Sequence, residues 1–187
     1  MSLEVWSTVF AGATFVVIAA TAIAALIQLR HMRTSNQLNA LLTLMQMWDT
    51  PDMQTHIQYS RTALQEKLKD PKFLAQYAEG GISRAEHPEL LVADYWEQIG
   101  TFMKYSLVDK RSWLDISAPQ VLRSWDDLWP AIAAQRAKFG PAAFENFEYV
   151  AVLAKLWLAR YPDGVYPANL PRMAQLMAAQ PQPPGRT

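Results

Sequence analysis

Between Glu4 and Arg30 the chain carries no charged side chain, and that interval constrains the fold more than any other. Residues 5–27 read VWSTVFAGATFVVIAATAIAALI, 23 residues whose polar members are one serine and three threonines. As a helix rising about 1.5 Å per residue they span about 34 Å, enough to cross a hydrocarbon core of about 30 Å with some tilt. Hydroxyls can bond to carbonyls one turn back, so Ser and Thr cost little in lipid. Trp6 lies at one edge, where an indole rests well in the headgroup layer. Buried core helices seldom run so long without a charge, so a transmembrane anchor is expected. Small-residue patterns such as Ala20-Thr21-Ala22 can mimic a signal-peptide cleavage site. The residues before the run, however, include Glu4 and no lysine or arginine, whereas a signal peptide has a basic start and an apolar run of about 7–15 residues. An uncleaved anchor is favoured.

Arg30 and Arg33, with His31, flank the run on its C-terminal side, and no basic residue flanks it on the other. The positive-inside bias then predicts a single-pass protein of the inner (plasma) membrane, its N-terminus outside and the remainder cytoplasmic. The lipid bilayer is thus the first expected partner. Thr8 and Gly12 form a small-xxx-small pair and alanines crowd positions 19–25, which leaves a homo-oligomer through the anchor open. A pore of such helices is disfavoured, because no charged residue lines them.

The anchor also explains the composition. Charged residues make up 18% of the 187, below the roughly 25% usual in soluble domains. Yet 33 of the 34 charges fall in the 158 residues from Arg30 onward, about 21%, closer to a soluble domain. Seventeen basic and seventeen acidic residues produce no long-range field, so no nucleic-acid partner is expected. The absence of cysteine excludes disulfides, thiolate zinc sites, iron–sulfur clusters and cysteine nucleophiles.

Beyond the anchor, Leu38, Leu41, Met45 and Trp48 keep helical spacing and no proline intervenes before Pro51. One long helix should therefore leave the bilayer, run to about Asp49 and pack on the protein's own globular part. Thr50-Pro51-Asp52 has the chemistry of a helix start, predicting a helix to Leu68; Asp70-Pro71 repeats it, opening a short helix to about Glu79 that Gly80-Gly81 breaks. Pro88 begins an amphipathic helix with Val92, Trp96, Ile99 and Met103 on one stripe, ending near Val108. Ser117 can cap the next, whose buried face holds Val121, Trp125, Leu128 and Ile132, with a kink or break near Leu128–Trp129 caused by Pro130. Pro141 to Tyr161, apolar on more than one side, should be the central helix. No run alternates with period two. The expected fold is all-α: a transmembrane helix over residues 1–29, a bundle of about five helices over 30–161, and a proline-rich, partly disordered tail over 162–187.

Little chemistry is legible. The three histidines, His31, His56 and His87, sit on separate segments with no Glu-x-x-His; His56 and His87 should face solvent, and no metal or cofactor is expected. Asp94 with Glu97, and Glu145 with Glu148, are carboxylate pairs at i,i+3. If Glu97, Glu145 and Glu148 converged across the bundle they could hold a divalent cation or do acid–base work. The competing explanation is a solvated helix face, or a buried acid paired with an arginine such as Arg136. Glu97, at the edge of a core stripe, is the best candidate for a buried, tuned acid. Nucleophile elbows and phosphate-binding loops are absent. Lys67, Lys69 and Lys72, interleaved with acids, read as a wet surface or a contact to anionic lipid. Trp113, beside Lys110 and Arg111, is the tryptophan best placed for exposure and for touching lipid or a partner; otherwise it caps the end of the bundle.

Several spaced motifs then fit one pattern: an anchor leading through a basic turn to Trp48, Tyr95-Trp96-Glu97-Gln98-Ile99-Gly100 ahead of Leu107-Val108-Asp109, Trp125 with Trp129-Pro130-Ala131-Ile132 and Arg136, and Phe144-Glu145-Asn146-Phe147-Glu148. The chain up to about Tyr161 resembles the bacterial membrane-anchored family described as domain of unknown function 4760. The resemblance implies a single-pass, all-helical protein without established activity and supplies no catalytic residues. The expected role is presentation of a cytoplasmic bundle to a protein or lipid surface. The alternative is a carboxylate-based, metal-dependent hydrolase at the membrane.

Overall fold

The computed structural model describes residues 2–79 and 82–178. Among them are eight α-helices and no strand, in keeping with the all-α expectation. The Gly80-Gly81 break and the last residues of the tail, from position 179, lie outside the described residues.

Helix α1 (Leu3–Trp48) holds 46 residues in one uninterrupted rod of about 69 Å. It lives in two environments. Its most apolar 18-residue window is 0% buried. Thr8, Thr14 and Thr21 donate to the carbonyls of Glu4, Phe10 and Val17 at 2.9, 2.8 and 2.8 Å, the back-bonding that lets hydroxyls sit in an apolar helix. After the apolar run, Gln37 is the first shielded residue. From there Ala40, Leu41, Leu44, Met45 and Trp48 pack on the core. The stripe differs from expectation in one place: Leu38 is exposed and Leu44 is buried instead.

The predicted cap-then-proline starts are present. The Thr50 hydroxyl accepts from Met53 N at 3.4 Å ahead of α2 (Pro51–Arg61), and the Asp70 carboxylate accepts from Lys72 N at 2.9 Å ahead of α4 (Pro71–Gln76). The helix expected to reach Leu68 is broken at Thr62, with α3 (Ala63–Lys67) following. There the Thr62 hydroxyl donates to Gln58 O at 2.7 Å and the Gln65 amide donates to Ser60 O at 2.7 Å, side chains taking carbonyls from the ladder.

α5 (Glu89–Lys104) stops short of Val108, because Ser106 turns the chain at φ 57°. α6 (Lys110–Phe139) starts earlier than expected. Asp109, not Ser117, is its cap: its carboxylate accepts from both the backbone N–H and the hydroxyl of Ser112, at 2.8 and 2.7 Å, and Ser117 is buried within the helix. Nor does Pro130 end α6, which stays helical through Pro119 and Pro130. It curves instead. Lys110 Nζ reaches Tyr149 OH at 2.8 Å while Arg136 Nη2 reaches Glu148 at 3.0 Å, so its two ends meet neighbouring residues of one helix. A straight rod would hold Lys110 and Arg136 about 39 Å apart, too far for both contacts; each proline, lacking an N–H, permits the bend.

α7 (Glu145–Arg160) begins after Pro141, the chain first turning at Phe144 (φ 55°), and lies between α5 and α6 as the central helix. A short α8 (Met173–Ala178) follows, exposed throughout. Aromatic rings link the helices within a largely aliphatic core. Trp96 stacks on Phe147 with centroids 6.3 Å apart, Trp125 meets the same ring edge-on at 5.0 Å, and Trp48 brings α1 onto Trp96 at 4.7 Å. Gly100 sets the α5–α7 crossing: a Cβ there would lie 2.0 Å from the Asn146 carbonyl oxygen. Only a glycine lets the two backbones approach so closely.

Candidate functional site

The three candidate acids are each occupied by a different partner. Glu97, half-buried on α5, accepts from the Asn146 side-chain amide and from Phe147 N, both at 2.7 Å. It thereby caps α7 from another helix. The need is local: Phe144, at the N-cap position of α7, is left-handed and has no side chain that can accept. Glu145 pairs with Lys104 at 3.2 Å on the exposed rim, and Glu148 pairs with Arg136 at 3.0 Å, the arginine expected as the partner of a buried acid. Asp94 is held by two bonds from Arg84, each 2.9 Å. Among the described residues no group of three or more His, Asp or Glu comes together in a way that could hold a metal ion.

Arg136 does more than pair with Glu148. It donates to the carbonyls of Ala143 and Phe144 at 2.9 and 3.3 Å while its guanidinium lies 5.7 Å above the Trp125 ring. One side chain thus fixes the turn that delivers α7 to Glu97.

A second cluster lies where no site was expected. Tyr77 OH donates to Glu89 Oε1, the same oxygen lies 2.8 Å from His87 Nδ1, and His87 Nε2 lies 3.0 Å from Gln76 Oε1. Phe73 covers the imidazole with centroids 5.2 Å apart. Glu89 is 0% and His87 4% exposed, so the expectation of a solvent-facing His87 is corrected. His56 is half-buried. Burial, then the hydrogen bond to Glu89 and its charge, push the Tyr77 phenol well above its ordinary value. A signal for this cluster existed: Glu89 precedes Val92 by three positions and Trp96 by seven, placing it on the core stripe of α5.

Of the residues expected at the membrane, Trp6 is half-exposed and Arg30 and Arg33 are exposed on α1. Trp113 is not exposed. At 1% exposure its indole packs edge-on against Trp96, 6.4 Å away, and is part of the core. Early capping of α6 by Asp109 turns the expected connection into a helix face. Tyr105 and Leu107 are surface-exposed in the turn that precedes α6, which Gln37 of α1 holds by donating to Ser106 O at 3.2 Å. Of the lysines, Lys67 covers the Tyr59 and Phe73 rings and Lys69 pairs with Glu66.

Residues 15–153 match the family model described as domain of unknown function (DUF4760), and the chain belongs to that family. No curated protein and no solved structure matches it. The matched stretch begins inside the exposed apolar half of α1 and ends in α7, so it takes in both environments of the long helix.

Proposed function

We propose that this is a single-pass membrane protein that presents a cytoplasmic helical bundle to a protein or lipid surface. The observation that carries this reading is the continuity of α1, whose apolar half lies wholly outside the bundle and whose last turns are part of its core. No hinge separates the two. Residues 28–36, the exposed stretch between them, add about 14 Å of rigid helix, which holds the bundle close to the headgroups at a fixed distance. Arg30 and Arg33 support the cytoplasmic side for the bundle. Support for an interaction surface comes from Val152 and Leu156, one turn apart on α7, which are 51% and 63% exposed although α7 is the central helix. The hydrolase reading draws no comparable support, since Glu97, Glu145 and Glu148 each serve a separate structural contact.

Photo-crosslinking in intact cells tests the proposal. A photoreactive side chain at Leu156 should give discrete adducts with the anchor present and lose them when residues 2–29 are removed. One placed at Glu66, on the wet Lys67–Lys69 surface, should give none. Equal labelling at both positions would contradict a dedicated surface.

A further inference from the structure

The bundle has one tip directed along α1 toward its apolar half. Tyr95 of α5 donates to Leu44 O of α1 at 3.0 Å, and further along the chain Ser106 O accepts from Gln37 of α1 at 3.2 Å. Higher positions on the α5 side thus meet lower positions on α1. α5 runs back along the long helix, the chain reverses at Ser106 (φ 57°), and α6 sets off again from Asp109. Gln37 is also the first shielded residue of α1 after the apolar run, so the turn it holds is the part of the bundle nearest that run.

The side chains at this tip have the chemistry of a membrane interface. Tyr105 is 70% and Leu107 53% exposed, two large apolar groups on one short turn. Residues 104–111 read KYSLVDKR, three bases to one acid. Arg111 is exposed, Lys104 is half-exposed beside Glu145, and Lys110 reaches Tyr149 OH. Arg30 and Arg33, exposed on α1, lie between the tip and the apolar run. Tyrosine suits the headgroup layer, where its ring is shielded and its hydroxyl stays wet, and nearby bases attract anionic headgroups.

The distance also fits. Gln37 lies ten residues past Ile27, about 15 Å along the helix, and side chains of a helix lean toward its N-terminus, which brings the turn closer still. Headgroups occupy about 5–8 Å of each leaflet, and a tilt of α1 shortens the remaining gap to what a tyrosine side chain covers. We infer that the α5–α6 turn is a second membrane contact, with Tyr105 and Leu107 resting in the headgroup layer and Arg111 on the phosphates of anionic lipids. The inference rests on α1 being a membrane anchor. Two contacts, unlike one, fix how the bundle is turned on the bilayer.

The full chain, labelled at Leu107→Cys with a nitrobenzoxadiazole dye and reconstituted in vesicles of phosphatidylcholine and phosphatidylglycerol, allows the test. A nitroxide on the lipid headgroup should quench this label and leave one at Lys69→Cys bright. Arg111→Gln, or vesicles of phosphatidylcholine alone, should weaken docking of the turn about fivefold. Tyr105→Glu, at an exposed position, should abolish quenching and leave the melting temperature unchanged. Unaltered quenching in that variant would mean that the dye and not the turn enters lipid, and would overturn the inference. So would equal quenching at positions 107 and 69, or docking indifferent to lipid charge. A chain washed off the vesicles by alkali would contradict the anchor itself, whereas one that stays with its Leu107→Cys label unquenched overturns the second contact alone.

Discussion

Phe15 and Phe147 are the same residue type in two settings. Phe15 is 72% exposed on the first half of α1, while Phe147 is 0% exposed where Trp96 and Trp125 meet. In water the first would be an aggregation liability and the second a cornerstone. A helix apolar on every side needs an apolar solvent around it, whereas one with a single apolar stripe needs only a partner on that side. α1 contains both kinds in one rod, and the change falls between Ile27 and Gln37. Hydrophobicity alone therefore does not say what a segment packs against; the width of its apolar face does.

The largest expected effect comes from exchanging these two residues for alanine in turn. Phe147→Ala should cost the bundle roughly 3–5 kcal/mol, while Phe15→Ala should leave denaturant unfolding of the bundle within about 0.5 kcal/mol of the parent. Comparable losses from both would mean that the apolar half of α1 is a hidden part of the core.

Alkaline pH probes the bundle alone, because its buried phenols have no counterpart in the first half of α1. Burial holds Tyr77 and Tyr95 above the ordinary tyrosine value near 10, with the carboxylates of Glu89 and Asp49 adding to the effect. The folded state then keeps protons that the unfolded chain releases, so stability is intact below about pH 10 and falls as pH rises further. Each tyrosine contributes up to about 1.4 kcal/mol per pH unit to that fall. Melting curves across the alkaline range should be flatter for Tyr77→Phe and Tyr95→Phe, and an unchanged slope would place those phenols in water.

Much of this division is legible in the chain, and the reasons are local. The uncharged run, the Thr50-Pro51 and Asp70-Pro71 starts and the α5 stripe are each decided by residues within a few positions of one another. Ser117 was the cap expected for α6, and Asp109 takes that place because Trp113, Leu114 and Ala118 extend the buried face toward the N-terminus. The roles of Glu97 and Glu89 were hidden for another reason. Glu97 reaches 50 residues along the chain to Phe147 N, and Glu89 is buried by Tyr77 and His87 from outside its helix. Spacing along one helix reveals faces, not the partner that another helix delivers.

Glu97 offers the next smaller test. Glu97→Gln keeps one acceptor but loses the charge facing the N-terminus of α7, and should cost about 1 kcal/mol by denaturant unfolding. Glu4→Gln, on the first turn of α1, should cost the bundle nothing measurable. A Glu97→Gln variant as stable as the parent would remove the cross-helix cap from the account.

The smallest effect belongs to the capping contrast between α1, whose Ser2 makes no side-chain cap bond, and α6, whose Asp109 does. Bonds from the Ser112 hydroxyl and then its backbone N–H hold the Asp109 carboxyl below its ordinary range. Its stabilisation is therefore present above the usual aspartate pKa and fades as pH falls through the lowered value. Asp109→Ala should cost about 0.5–1 kcal/mol at neutral pH and less in acid, read from paired melting curves.

One measurement bears on the two-solvent account most directly, and the cysteine-free sequence makes it clean. Single-cysteine variants Ser2→Cys and Lys69→Cys, treated in intact cells with a membrane-impermeant maleimide, report the two ends of the proposed span. The account predicts labelling of the Ser2→Cys variant at once, labelling of Lys69→Cys only after the membrane is opened, and retention of both in the pellet after alkaline extraction. Labelling of Lys69→Cys in intact cells, or release of the chain as a soluble protein, would contradict it.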